Sequence, residues 1–442
     1  MATERVAGRR RSRRSGRSSR PTADRVAARL AHHGMVSILT LGFTAGSLAA
    51  QDVVVGPAGP YTTVTAALEA AEPGARVRIL SGTYREGPIR VRKPVRIEGV
   101  DWPVLDGGHQ GSVLIIEADD VEVRGLRIRN SGVSFVDDHA AIRVDGGNRC
   151  VVDGNRLEDN FFGIYVARSE GCRITDNVVR ASGDREASSG NGIHLWNARD
   201  VRVARNQVRG HRDGIYLEHV RRATIEGNHC EGNLRYGLHF MFSHETEYSG
   251  NVFRSNGAGV AVMYSRSVRV ADNVFEDNWG ATAYGLLLKD ISDSEVVGNT
   301  FRRNTTALHS EGSDRLEIRG NRFERNGWAV RVLASSQGNR FTGNDFIDNT
   351  FDVTTNSRRN YNHFEGNYWS AYRGYDLTGD GVGDVPYRPL RLFALIVERT
   401  PEALALLRGP FVDLLDVAER VLPAITPETL VDASPRMTEV TR

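Results

Sequence analysis

Residues 249–263 read Ser-Gly-Asn-Val-Phe-Arg-Ser-Asn-Gly-Ala-Gly-Val-Ala-Val-Met. One turn ends in Asn251, a short strand carries Phe253, a second turn ends in Asn256, and an alternating strand runs from Gly259 to Met263. The same order recurs along the chain. Asparagines close equivalent turns at 155, 177, 206, 228, 251, 273, 299, 321, 344 and 367, at intervals of 22, 29, 22, 23, 22, 26, 22, 23 and 23 residues. Two residues after each stands an apolar side chain, which is Phe at 253, 275, 301, 323 and 346. Segments such as GIYLE, GLHFM and GVAVM have period two, the mark of strands with one face inward. Strands of three to five residues, polar turns and a period near 22 make each period one coil of a solenoid. Asparagine suits the turns because it tolerates left-handed backbone angles and because stacked amides bond coil to coil. Propeller blades need a longer period, and no leucine-rich signature is present. The expected fold is all-β: a right-handed parallel β-helix of the pectin-lyase type over residues 89–369, with about 12 to 13 coils.

The flanks differ from the repeats. The first 50 of the 442 residues hold ten arginines and two acidic residues, then an apolar run from Met35 to Ala50 that ends in small residues. Basic, apolar, small is the order of a secretory signal, so 1–50 is expected to be a signal peptide. That leader carries +8 of a net charge of +2, so the remainder is near −6. The remainder has no basic bias to attract nucleic acid. Residues 51–88 include the short helix former Val64–Ala71, expected to cap the first coil, whose apolar interior would otherwise be bare. After an Asp/Gly-rich loop at 370–388, residues 389–442 read as short amphipathic helices. They are too polar and short to span a bilayer. Phe393, Leu404, Phe411, Leu414 and Leu415 are their candidate partner-binding residues.

Methionine is scarce. Of five, Met1 and Met35 lie in the leader and Met437 near the end; Met241 and Met263 are 22 residues apart. Each stands four residues after a strand glycine, Gly237 and Gly259. They should share one site on adjacent coils, with Leu238, Phe240, Val260 and Val262 inward and His239, Met241 and Met263 outward. Two thioethers and an imidazole suit a soft ion, above all Cu(I), with His244 in the next turn as a fourth ligand. The same residues would also suit a patch that meets a partner. The face carries His194, Trp196, Tyr216, Glu218 and, as a surface residue, His309.

Other candidates are weaker. Asp376, Thr378, Asp380 and Asp384 have calcium-loop spacing, but Tyr387 replaces the closing acid, and a turn held by Asx hydrogen bonds explains the stretch equally well. Asp137, Asp138 and His139 would serve polysaccharide chemistry if another acid joined them. Cys150 and Cys172 each precede a turn asparagine by five residues, so they face inward on adjacent coils, as a disulfide or as two buried thiols. No nucleophile elbow, phosphate loop or HExxH is present.

GLHFMFS followed by GVAVMYS, then GNYWSAYRGYDLTGDGVGDVPYRP, then LLDVAERVLPAITPETLVDASPRM together resemble the NosD family of nitrous oxide reductase maturation proteins. The resemblance implies a non-enzymatic periplasmic subunit of an ABC transporter, held at the outer face of the inner membrane by a permease and served by an ATPase. It implies support for assembly of the copper-sulfur centre of nitrous oxide reductase, with a copper chaperone as donor and Cu(I) received or passed on. His239, Met241 and Met263 fall on the family's His and Met positions. The alternative is a secreted carbohydrate-active enzyme, a lyase or epimerase, which would need neither the Met pair nor the C-terminal helices.

Overall fold

The computed structural model describes residues 51–439, apart from 135, 184, 358–359, 408 and 422–429. The expected signal peptide, 1–50, lies outside the described residues. The chain winds into a parallel β-helix with three sheets. The first sheet has 14 strands, from Asp52–Val55 to His363–Glu365; the second has 13, from Thr83–Tyr84 to Tyr368–Trp369; the third has 12, from Ile89–Val91 to Phe351–Thr354. Coils therefore begin well before residue 89, since Asp52–Val55 already pairs in parallel with Arg76–Ile79. The early coils lack the asparagine signature, which is why the periodicity alone placed the start too late.

Each turn asparagine is fully enclosed and works as a rung. The Oδ1 of Asn177 accepts from the backbone N–H and the Nδ2 of Asn155, at 3.0 and 3.1 Å. Asn206, Asn228, Asn251, Asn273 and Asn299 repeat the pattern, and it continues through Asn321 and Asn344 to Asn367. Buried polar groups are costly unless paired, so a column in which every amide is paired fixes the register of successive coils. The backbone reason offered for asparagine is wrong in detail. Positive φ belongs to the residue before it: Gly227, Gly250, Gly298 and Gly320 at 60° to 68°, with Asp176 and Asp272 at 56° and 54°. The asparagine earns its place through its amide.

Inside, Phe253, Phe275, Phe301, Phe323, Phe346 and Trp369 stack with ring centroids 4.1–5.5 Å apart. Parallel pairing in register forces this column, because equivalent residues sit one strand spacing apart. The stack needs room, and the glycines that open third-sheet strands provide it. A Cβ on Gly237 would meet Gly259 O at 2.8 Å and a Phe253 ring carbon at 2.9 Å. Cys150 and Cys172 stack on adjacent coils as expected and are joined as a disulfide.

Both ends are closed. Helix α1, Val64–Ala70, buries Val64, Ala67 and Leu68. The Glu86 carboxylate accepts from the free N–H groups of Val64 and Thr65 at its start. At the far end α2, Leu392–Arg399, lays Phe393 against Phe351. Phe393 is 2% exposed, which corrects its assignment as a partner-binding residue: it belongs to the core. The described residues after 389 are also less helical than expected. After α2, a 3₁₀ turn at Pro401–Leu406 and α3 at Pro410–Val421, residues 430–439 run back along the last coil. There Asp432 ends the amide column. Its carboxylate accepts from Gly366 N–H, Asn367 N–H, Asn367 Nδ2 and Trp369 Nε1, all at 2.9–3.0 Å.

Phe301→Ala should lower the unfolding free energy by about 3–5 kcal/mol, read by urea denaturation. Asp432→Leu keeps the branched outline but strands the donors that the carboxylate serves, and should cost about 3 kcal/mol or more. Faster amide exchange near Asn344 and Asn367 should accompany it; unchanged stability would mean that those donors reach water.

Candidate metal centre on the third sheet

The strand Tyr236–Met241 pairs on one side with Asp213–Glu218 and on the other with Ala258–Met263. The register sets Tyr216 beside His239, Glu218 beside Met241, His239 beside Ala261, and Met241 beside Met263. Leu238, Phe240, Val260 and Val262 point inward and are fully buried, as their alternation requires. His239, Met241 and Met263 therefore share the outer face. Residues two apart on a strand lie about 6.8 Å apart and neighbouring strands about 4.8 Å. The three residues and Ala261 thus mark the corners of a small rectangle, in which Ala261 is itself fully buried.

The outer face is not open here, which corrects one expectation. His239 is 6% exposed, because the Tyr216 and Tyr236 rings each stand 4.8 Å from its own. Its Nδ1 lies 3.5 Å from Asp213 Oδ2 and 3.4 Å from Arg235 Nη2, while its Nε2 is buried with no protein partner. Met241 and Met263 are half-buried beside it. An imidazole nitrogen without a protein partner and two thioethers on adjacent coils fit a soft monovalent ion.

His244 is not part of this block. It lies past the corner, where it bridges to Arg221, and its Nδ1 accepts from Arg266 N–H at 3.2 Å. Burial, then Arg266 and Arg221, hold its pKa below the usual range, and with Nδ1 accepting, the neutral ring carries its proton on Nε2. At the same corner His219, Phe242 and Tyr264 form an exposed stack with centroids 5.2 and 5.1 Å apart. Sequence reasoning missed it, although each of these residues directly follows Glu218, Met241 or Met263. It also missed Asp213, and Tyr165, which extends His194, Tyr216 and His239 into a column with centroids 4.6–4.8 Å apart.

The remaining candidates separate. In the Asp/Gly-rich loop, Asp376 Oδ1 accepts from Thr378 Oγ1 and Gly379 N–H, and its Oδ2 from Gly381 N–H. Asp380 accepts from Val382 N–H and Asp384 from Leu377 N–H. The carboxylates stitch turns, the arrangement expected of an Asx turn. Asp137, Asp138 and His139 sit at the rim, where Asp138 meets Tyr165. His309 is buried, not superficial, with Tyr284 5.0 Å away. On α3, Phe411 and Leu414 are 43% and 66% exposed, whereas Leu404 and Leu415 pack partly against the core.

A family model described as "Periplasmic copper-binding protein (NosD)" matches residues 180–374. A protein of Stutzerimonas stutzeri, named "Probable ABC transporter binding protein NosD", is 30% identical over 382 residues, which are 82% of this chain and 86% of its own. One of the same name from Pseudomonas aeruginosa is 32% identical over 388 residues, 83% and 89% of the two chains. The chain belongs to the NosD family. Its family's model is described as periplasmic, and among its described residues no helix is long and apolar enough to cross a membrane. Solved structures share only the fold. An exopolygalacturonase of Yersinia enterocolitica has a TM-score of 0.53 at 10% identity, covering 72% of this chain and 78% of its own. A mannuronan C-5 epimerase module of Azotobacter vinelandii has 0.52 at 13%, covering 70% and 95%.

Burial holds His194, His211 and His309 far below the usual imidazole range, at about 3, 4 and 4. Each stays neutral when folded and takes up a proton on unfolding below pH 6.5, so each contributes stability that is lost as pH falls from about 6.5 towards 4. His309→Gln should reduce the slope of stability against pH near pH 5.5 by about 1 kcal/mol per unit, measured by urea unfolding across that window.

Proposed function

We propose that the protein binds Cu(I) on its third sheet through His239, Met241 and Met263 and passes it on during assembly of the copper-sulfur centre of nitrous oxide reductase. The buried, unpartnered Nε2 of His239, beside Ala261 and a thioether pair on adjacent coils, carries this reading. Thioethers favour Cu(I) yet bring no charge, so such a site holds the ion less tightly than thiolates and suits transfer. The cargo arrives from a copper chaperone in the periplasm. His244 and the exposed His219, Phe242 and Tyr264 stack stand where an arriving or departing ion would cross the rim. Familial likeness to proteins named for an ABC transporter supports a place beside a permease and its ATPase, at the outer face of the inner membrane. The stripe of Phe411, Leu414 and Val417 on α3 offers the exposed apolar surface for that contact. The carbohydrate-enzyme alternative rests on shared fold alone.

Met241→Leu with Met263→Leu keeps the volume and removes both sulfurs. In an anaerobic Cu(I) competition titration this variant should bind about tenfold or more weakly while staying folded. Parent-like Cu(I) binding in that variant would make the methionines a contact patch instead. Phe411→Glu with Leu414→Glu should leave folding intact and abolish copurification with the permease; retained copurification would move docking to the coils.

A further inference from the structure

His239 is buried on a face that the coil turns outward, and two tyrosines cover it. The Tyr216 ring, from the neighbouring strand, stands 4.8 Å from the imidazole at an interplanar angle of 53°. The Tyr236 ring, from the start of the same strand, stands 4.8 Å away at 48°. Both tyrosines are half-buried, so their rings form the roof of the site and not its floor. On the side away from Tyr216, Ala261 stands beside His239 and Leu287 beside Ala261, at 0% and 8% exposed. Behind the ring, Asp213 accepts from Arg235 Nε at 2.8 Å, and the ion pair brings no net charge. Glu218 and Lys289 flank the methionine pair one strand away on either side, and Lys289 is paired with Glu311.

Tyrosine rings attend the other two histidines of this column as well. Tyr165 and Tyr216 lie 4.8 and 4.6 Å from His194, and Tyr284 lies 5.0 Å from His309. Two places further along their strands stand Trp196 and Glu311. Of the three histidines, His239 alone has its aromatic cover bordered by two thioethers. A packing device common to the column thus encloses soft donors at one point.

A dry enclosure of neutral donors treats the two oxidation states of copper unequally. Burying a divalent ion among uncharged groups costs far more than burying a monovalent one. Solvent access is one of the levers by which the shell around a metal site sets its potential. Excluding water from the imidazole and the two sulfurs therefore adds to the preference that thioethers already have for Cu(I).

We propose that Tyr216 and Tyr236 are positioning residues: their rings clamp the His239 imidazole and keep water from the face it shares with Met241 and Met263, so that an ion held there stays monovalent. The purpose of the clamp rests on the Cu(I) reading; the clamp itself needs no metal.

Two measurements separate the clamp from its purpose. In the metal-free protein, diethyl pyrocarbonate acylates accessible imidazoles, and peptide mass spectrometry locates each modified ring. His239 should react slowly in the parent, severalfold faster in Tyr236→Ala, and slowly again in Tyr236→Phe, which keeps the ring. His194 should stay slow in all three, because its own cover is Tyr165 and Tyr216. The same proteins are then loaded anaerobically with Cu(I), in enough excess that all copper is bound. Hexacyanoferrate(III) is added, which takes one electron from each Cu(I) and becomes hexacyanoferrate(II). Oxidation should be about tenfold faster in Tyr236→Ala than in the parent or in Tyr236→Phe. If Tyr236→Ala fails to fold, Tyr216→Ala carries the same readouts, with His194 uncovered as well. A His239 that reacts freely in the parent would overturn the proposal. So would a folded alanine variant whose copper is oxidised at the parent's rate. If the modification rates show the clamp but the parent binds no Cu(I), the copper reading falls with the purpose assigned here, and the clamp stands.

Discussion

From Asn155 to Asn367 each coil is tied to the next by an asparagine side chain whose carbonyl oxygen serves two donors of the coil before it. The pairing acts on the whole register. Once Asn228 is set on Asn206 and Asn251 on Asn228, each strand between them meets its equivalent, and the phenylalanine column follows from that alignment. So does the outer face. Met241 and Met263 are neighbours because the asparagines 22 residues apart, Asn251 and Asn273, force the strands that precede them into step. A one-residue slip would turn the methionines inward and Phe240 out. The amide column and the candidate metal centre thus express a single constraint.

Much of this was readable from residue order. Period-two strands, recurring turn asparagines and the Phe column give the coil, its interior stack and the pairing of the two methionines. The first coils escaped because they have no asparagine rungs and hold together by strand pairing alone. The tail escaped for a different reason. Amphipathic runs at 392–421 look like a helical module, but the residue that closes the column, Asp432, does so with a side chain that no local pattern singles out.

The site was half legible. Spacing shows which residues share a coil face, but not how deep they lie. His239 and His309 read as exposed and are buried, because tyrosines on neighbouring strands lean over them. The carboxylate at Asp213 is 26 residues from His239 and meets it only after one turn of the coil. His244 shows the converse: close in sequence to Met241, it is carried around the corner by two residues.

A solenoid whose rungs are all alike has no inherent length. Each coil offers its successor the same unpaired edge and the same amide, so the last one is a template for a coil from another molecule. Asp432 occupies the next rung with a group that accepts but cannot donate. A neutral amide there would have propagated the pattern outward; the carboxylate halts it. With α2 and the segment 430–439 laid over the same end, the column closes within one molecule.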